Sequence, residues 1–237
     1  ETFMRSGSCY NKKTKKKIAA IIFVHVWGGA ANIKKILKYC KEKNIKVIED
    51  STESLGTLYK KNYLNGKHTG TIGDIGILSF NGNKIITTGA GGAILTKSKK
   101  YYKKSKLLIN QAKKNDFFVH DEIGYNYRMT SLNASLGISQ VKNLKKCLKR
   151  KKNIYFTYHE VFKNSKIFNV YKFPNFSNNN FWMNLLILKK NISKNFIDFL
   201  IKKYQKKIEF RRVWYPLYLQ KNFKNSQKYE IKNAEYL

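Results

Sequence analysis

Acidic residues are scarce in this 237-residue chain: 14 Asp and Glu face 48 Lys and Arg, a formal net charge of +34. Arginine is scarce too, at only five positions (Arg5, Arg128, Arg150, Arg211 and Arg212). That shortage argues against a nucleic-acid face, because arginine is the usual bidentate reader of bases and a planar partner for phosphate. The lysines are spread along the whole chain and not gathered into one stripe, so the excess reads as a solvated surface. The three cysteines, Cys9, Cys40 and Cys147, are odd in number and far apart. They form no CxxC or Cys/His cluster, so neither a zinc site nor a disulfide framework is expected, and a reducing cytoplasm fits. No apolar run approaches the ~18 residues needed to span a membrane, and no signal peptide is visible. Four scattered histidines, at positions 25, 68, 120 and 159, offer no HExxH pair.

What is present is an alternation of apolar runs and amphipathic stretches. "AAIIFVHV" (19–26) is a continuous, β-branched apolar run, the pattern of a strand buried on both faces. Ile33, Ile36, Leu37 and Cys40 then recur at helical spacing, which predicts an amphipathic helix over 32–43 with Cys40 in the core and Asn44 as its stop. "IKVIED" (45–50) is a second strand. Strand, three-turn helix and strand make a βαβ unit with parallel strands, whose ligands sit beyond the carboxyl ends. Asp50 lies at that end, and His25 lies near the end of the preceding strand.

"DIGILSF" (74–80) and "GGAILTK" (91–97) are further strands, joined by the loop that carries Lys84. "TTGAGG" (87–92) fits neither dinucleotide nor P-loop spacing and reads as a tight connection. Residues 98–112 read as a helix and "HDEIGYNYRM" (120–129) as an irregular loop. Residues 130–162 read as helical, with Leu132, Leu136, Ile138, Val141 and Leu144 turned inward. Beyond Lys163 the pattern changes: a loop at 175–181, a strand at 181–188, and a helix at 193–204 with Ser193 as N-cap. A domain boundary is placed near residue 150, giving 1–150 and an α+β unit over 151–237.

Candidate chemistry gathers around three side chains. A carboxylate at a buried strand end, Asp50, needs a partner. Ser79 ends a strand where a polar loop begins, and its hydroxyl can serve a phosphate or a local backbone group. Lys84 in "NGNK" leaves that loop, and a lysine that reacts as a nucleophile must be partly desolvated. Each alone is equally explained as a cap, a turn residue or a solvated lysine.

Three segments taken together, "VIEDSTESLG", "HTGTIGDIGILSFNGNKIITTGAGGAILT" and "HDEIGYNYRM", resemble the DegT/DnrJ/EryC1/StrS sugar-nucleotide aminotransferases. The resemblance runs in order from about Tyr10 to the C-terminus. It implies an α/β fold: a partial large domain of the aspartate-aminotransferase type (pyridoxal-phosphate fold type I) with a small α+β C-terminal domain. It also implies that Lys84 bonds pyridoxal phosphate and moves protons. Asp50 would pair with the pyridine nitrogen. Glu53 stands where many members carry glutamine toward the ring hydroxyl, and Ser79 would hold the phosphate. Asn126 would reach the cofactor of a second subunit, so a homodimer is expected. Glutamate would be the amino donor and a nucleotide-linked keto sugar the acceptor, with "NGNK" closest to members acting on UDP-4-keto-6-deoxy-N-acetylhexosamines. No metal is expected.

Two departures accompany the likeness. The family's long N-terminal section, with its glycine turn for the phosphate and its ring-stacking aromatic, is not found. In "RRVWYPLYLQ" (211–220), Tyr218 replaces the usual histidine. The chain is therefore expected to be a fragment that binds cofactor poorly. The alternatives are a non-catalytic or decayed homologue, a lysine-rich polyanion binder, or a 3-dehydratase of the same fold. The last uses histidine in place of the lysine, which "GNK" opposes.

Overall fold

The computed structural model describes residues 1–114, 118–189, 193 and 195–236, with the side chains of 235 and 236 left aside. In chain order the elements are β1 (Thr2–Arg5), β2 (Ser8–Asn11), β3 (Ala20–Val24), α1 (Lys34–Glu42), β4 (Lys46–Asp50), β5 (Leu58–Tyr59), β6 (Ile75–Ser79) and β7 (Gly92–Leu95). They continue with α2 (Lys99–Ile109), β8 (Lys113–Lys114), β9 (Val119–His120), α3 (Ser131–Lys142), α4 (Leu144–Val161), β10 (Phe168–Val170), β11 (Ser177–Asn178), β12 (Leu186–Leu188), α5 (Asn195–Tyr204) and α6 (Lys232–Tyr236).

The chain packs as two compact units. One comprises 1–157 with 172–184, the other 158–171 with 185–237. The division falls inside α4, and 172–184, expected in the second domain, belongs to the first unit.

The first unit is organised by a four-stranded sheet in the order β3-β4-β6-β7. β3, β4 and β6 run parallel, with Val24 beside Asp50 and Asp50 beside Ile77. β7 returns antiparallel, pairing Ile77 with Ile94 and Ser79 with Gly92. The βαβ unit is as its apolar spacing predicts. α1 covers one face, where Cys40, Ile45 and Val47 form a core with Ile21, Phe23, Ile36 and Leu37.

Burial of the strands on both faces, expected from their continuous apolar runs, is not what the structure shows. Burial alternates along β4 and β6, and Ile22 and Ile94 on the other face are 64% and 48% exposed. The reason is topological: β3 and β4 are joined through α1, but β4 and β6 are joined by the α-helix-free segment 51–74, so only one face receives a crossover helix.

The helical stretch at 130–162 is two helices, interrupted at Asn143, each capped or continued by local bonds. Thr130 Oγ1 accepts the Asn133 N–H at 3.3 Å at the start of α3. The inward placement of the α3 apolar residues is overturned. Leu132 is 83% exposed, and Leu136, Ile138 and Val141 are exposed as well. Leu144, in contrast, packs against the Ile85–Ile86–Trp182 core. Apolar spacing shows that a helix has a side to bury but does not say against what.

A hairpin of β1 and β2 precedes the sheet, turned by Ser6 and Gly7 with φ of 46° and 69°, the left-handed pair that a two-residue hairpin loop favours.

In the second unit, β10 and β12 pair antiparallel, with Asn169 opposite Ile187. The strand expected at 181–188 is confined to Leu186–Leu188, because Phe181 has a φ of 53° and, with Trp182, turns into the first unit's core. α5 begins after Ser193, whose hydroxyl accepts the Asn195 N–H at 3.3 Å; residue 194 lies outside the described residues. Arg212 forks onto Asp198 through Nε at 2.9 Å and Nη2 at 2.8 Å.

Candidate active site

Three loops leave the carboxyl ends of β3, β4 and β6, and they carry Trp27, Asp50 with Glu53, and Lys84. Asp50 ends β4 on the open face of the sheet. It is half-buried, and its Oδ1 accepts the Thr52 N–H at 3.1 Å. Strand alternation sends its neighbour Glu49 the opposite way, into the closed face. Glu49 is fully buried, with each oxygen doubly used. Oε2 accepts from His25 Nε2–H at 3.0 Å and Gly70 N–H at 2.8 Å, and Oε1 accepts from Ile72 and Gly73 N–H at 2.7 and 2.6 Å. The 70–73 loop can lie this close because position 76 is glycine, since a Cβ there would sit 1.8 Å from the Gly70 carbonyl oxygen. Burial pushes the Glu49 carboxyl up, but the His25 bond and the Gly73, Gly70 and Ile72 bonds outweigh it and hold the group below its ordinary value. His25 Nδ1 accepts the Ala31 N–H at 3.0 Å, which leaves the ring proton on Nε2, facing Glu49. His25 is therefore committed to a structural pair beneath the sheet.

Glu53 follows in the β4 loop. Its Oε2 accepts the Trp27 N–H at 2.6 Å, from a residue held at φ 58° in the loop after β3. Burial raises the Glu53 carboxyl above its ordinary value; the Trp27 bond and the Lys84 charge oppose that, and the Asp50 charge adds to it. Lys84 and Asp50 thus both lie within electrostatic reach of one carboxyl group.

The Lys84 loop leaves β6 through Ser79, whose Oγ accepts the Asn81 N–H at a long 3.4 Å. A turn bonds the Lys84 N–H to the Asn81 carbonyl at 3.0 Å. Ile85 and Ile86 bury themselves directly afterwards, anchoring the half-buried Lys84 at the edge of a core shared with Trp182. The glycines of "TTGAGG" serve the tight return to β7, as the sequence indicates: a Cβ on Gly92 would lie 2.3 Å from the Leu78 carbonyl oxygen. Asn126 stands apart from this group. It is exposed, bridged through its backbone to Asn110 at the end of α2.

Residues the sequence reading passes over hold the loops together. Asn180 is buried and donates through Nδ2 to the carbonyls of Glu53 and Leu55 at 2.8 and 2.9 Å. Its Oδ1 would lie 1.9 Å from a Cβ on Gly28, where φ is +96°, so that position requires glycine. Thr57 Oγ1 donates to the Gly28 carbonyl at 2.7 Å, and His68 Nε2 accepts the Gly56 N–H at 2.7 Å. Burial lowers the His68 pKa, which favours the neutral ring that can accept this bond. Strand alternation could have revealed Glu49. Nothing local could have revealed Asn180, more than a hundred residues from its partners.

The sequence profile of the DegT/DnrJ/EryC1/StrS aminotransferase family matches residues 2–237. The chain belongs to this family.

Among its relatives, GDP-perosamine synthase of Escherichia coli O157:H7 is 32% identical over 241 residues, covering 97% of this chain and 60% of that protein. The UDP-4-amino-4,6-dideoxy-N-acetyl-beta-L-altrosamine transaminase of Campylobacter jejuni is 33% identical over 167 residues, 69% of this chain and 43% of that one. The solved aminotransferase TlmJ of Streptoalloteichus hindustanus shares the fold at a TM-score of 0.80 and 19% identity, covering 92% of this chain and 57% of its own. The chain spans about half the length of the curated relatives it matches. The DegT/DnrJ/EryC1/StrS fold accounts for the α/β sheet. Among the described residues there is no group of three metal-ligating side chains and no helix long and apolar enough to cross a membrane.

Proposed function

We propose that this chain carries the pyridoxal phosphate site of an aminotransferase that moves an amino group from glutamate to a nucleotide-linked keto sugar. The observation that carries the reading is the convergence of Asp50, Glu53 and Lys84 at the carboxyl ends of parallel strands, with Glu53 under the electrostatic influence of the other two.

The donor set fits the cofactor. Lys84 offers an amine, Asp50 a carboxylate with hydrogen-bonding capacity beyond its Thr52 contact, and Ser79 a hydroxyl at a strand end. Pyridoxal phosphate supplies an aldehyde that bonds reversibly to amines and a ring that draws electron density from the bond being broken. Lys84 Nζ would hold and return the proton that moves during transfer. The Asp50 carboxylate would keep a proton on the ring nitrogen. Ser79 Oγ would donate to the phosphate. Glu53, whose carboxyl burial pushes above its ordinary value, would face the ring hydroxyl, where many members of the family carry glutamine.

The acceptor is assigned to the UDP-4-keto-6-deoxy-N-acetylhexosamine class from the "NGNK" wording; relatives bear both GDP- and UDP-sugar names. The homodimer is supported by the exposed apolar residues Ile123, Tyr127, Leu132 and Ile138, which flank Asn126 in sequence and would be covered by a second copy.

Titration of the chain with pyridoxal phosphate, followed by absorbance, tests the reading. Saturable binding with a band near the visible is expected, and Lys84→Ala abolishes the band. A band that survives in Lys84→Ala would remove Lys84 from the chemistry.

A further inference from the structure

Lysine side chains are long and flexible, so an amine that must react at one place needs something to hold it. Lys84 Nζ lies 4.1 Å from the ring centroid of Trp182. Other described lysines rest over Phe or Tyr. The closest of these, Lys113 over Phe118 at 3.6 Å, uses a ring that is 73% exposed. Trp182 differs in three ways. It is tryptophan, the strongest of the aromatic partners for a cation. It is 4% exposed and packed with Ile85 and Ile86, the two residues after the lysine. It is also fixed at both ends: Nε1–H donates to the Asn83 carbonyl at 2.7 Å, its backbone N–H donates to Asn180 Oδ1 at 2.8 Å, and its carbonyl accepts from Lys151 Nζ at 3.1 Å. Asn180, two residues earlier, also pins the backbone of Glu53.

We infer that Trp182 is a positioning residue for Lys84, its indole face holding the side-chain nitrogen at one place. The inference rests on the reading of Lys84 as the reactive amine. The indole cannot shift without breaking its bond to Asn83, the residue adjacent to Lys84, so ring and lysine loop move as one piece.

The test is made on the full chain without cofactor. Lysine amines are converted to ¹³C-dimethylamines, which stay cationic, and their methyl signals are recorded by NMR. The Lys84 signal is assigned by its loss in Lys84→Arg. The ring current of Trp182 is expected to displace it upfield from the crowded signals of exposed lysines. Trp182→Leu returns it to the crowd, and Trp182→Phe, which keeps a ring face but loses the N–H, leaves it displaced. A Lys84 signal inside the crowd in the unsubstituted chain overturns the inference, as does a displaced signal that Trp182→Leu leaves in place. If the leucine variant does not fold, the unsubstituted and phenylalanine spectra decide. A second arm follows borohydride-trapped labelling of Lys84 by pyridoxal phosphate: Trp182→Leu is expected to lower it by roughly 2- to 30-fold, with phenylalanine restoring most of it. Unchanged or faster labelling in Trp182→Leu contradicts positioning. A displaced NMR signal with no labelling of the unsubstituted chain would leave the Trp182 contact standing and defeat the aminotransferase reading instead.

Discussion

Glu49 and Asp50 are neighbours in one strand, yet they live on opposite faces of the sheet under opposite rules. Glu49 is fully buried, and its four hydrogen bonds come from His25, Gly70, Ile72 and Gly73. Asp50 is half-buried on a face where Ile22, Val24 and Ile94 are exposed, and it accepts a bond from Thr52. A carboxylate whose lone pairs are all spent inside the protein can hold a fold but cannot meet a ligand. One with lone pairs to spare at a strand end can do the reverse. On the proposed reading the closed face is the structural one and the open face the chemical one, and strand alternation separates the two roles over a single residue step.

Substitution should separate the faces in the same way. The largest effect is expected from Glu49→Ala, which strands His25 and three backbone N–H groups in the interior. It should cost about 3–5 kcal/mol of stability in urea denaturation, whereas Asp50→Ala should cost about 1 kcal/mol, the worth of one hydrogen bond, while abolishing cofactor binding. Equal losses at the two positions would break the distinction.

Next, Val47→Ala on the closed face should cost roughly 1–3 kcal/mol, against a change within about 0.5 kcal/mol for Ile94→Ala on the open face.

The acid limb of stability should also belong to Glu49. Its folded pKa is depressed, so its contribution is present above the unfolded carboxylate value of about 4.3 and is lost as pH falls through the folded value. The smallest effect concerns Glu53, whose folded pKa is raised. Its share of stability falls as pH rises from the unfolded value through the folded one, and Glu53→Gln should flatten that slope. Thermal melts across pH 3–8 on Glu49→Gln and Glu53→Gln should show opposite changes of slope.

Much of this arrangement could be read in the chain beforehand. The period-3.6 apolar positions of α1 between two β-branched runs give a βαβ unit, and that unit places Asp50 and Ser79 at strand ends. Cys40 falls in the α1 core as its helical position indicates. Other features could not be read. The apolar run of β3 looks buried on both faces because composition reports only that side chains are apolar. Whether a helix covers them depends on the connections, and the β4–β6 connection carries no α-helix. The α3 residues Leu132 and Ile138 mislead for the same reason. Phe181 and Trp182 look like the start of a strand, and the turn of Trp182 into the core beside Lys84 goes with the Asn180 side chain bonding to backbone that is distant in sequence.

The central claim is that one amine among so many lysines is set apart in the loop after β6. The most direct measurement is borohydride reduction of the chain with equimolar pyridoxal phosphate, followed by peptide mapping of the pyridoxyl label. The account predicts that the label concentrates on Lys84 and is lost from that peptide in Asp50→Ala. A label spread across the surface lysines, with Lys84 no more modified than its neighbours, would contradict it.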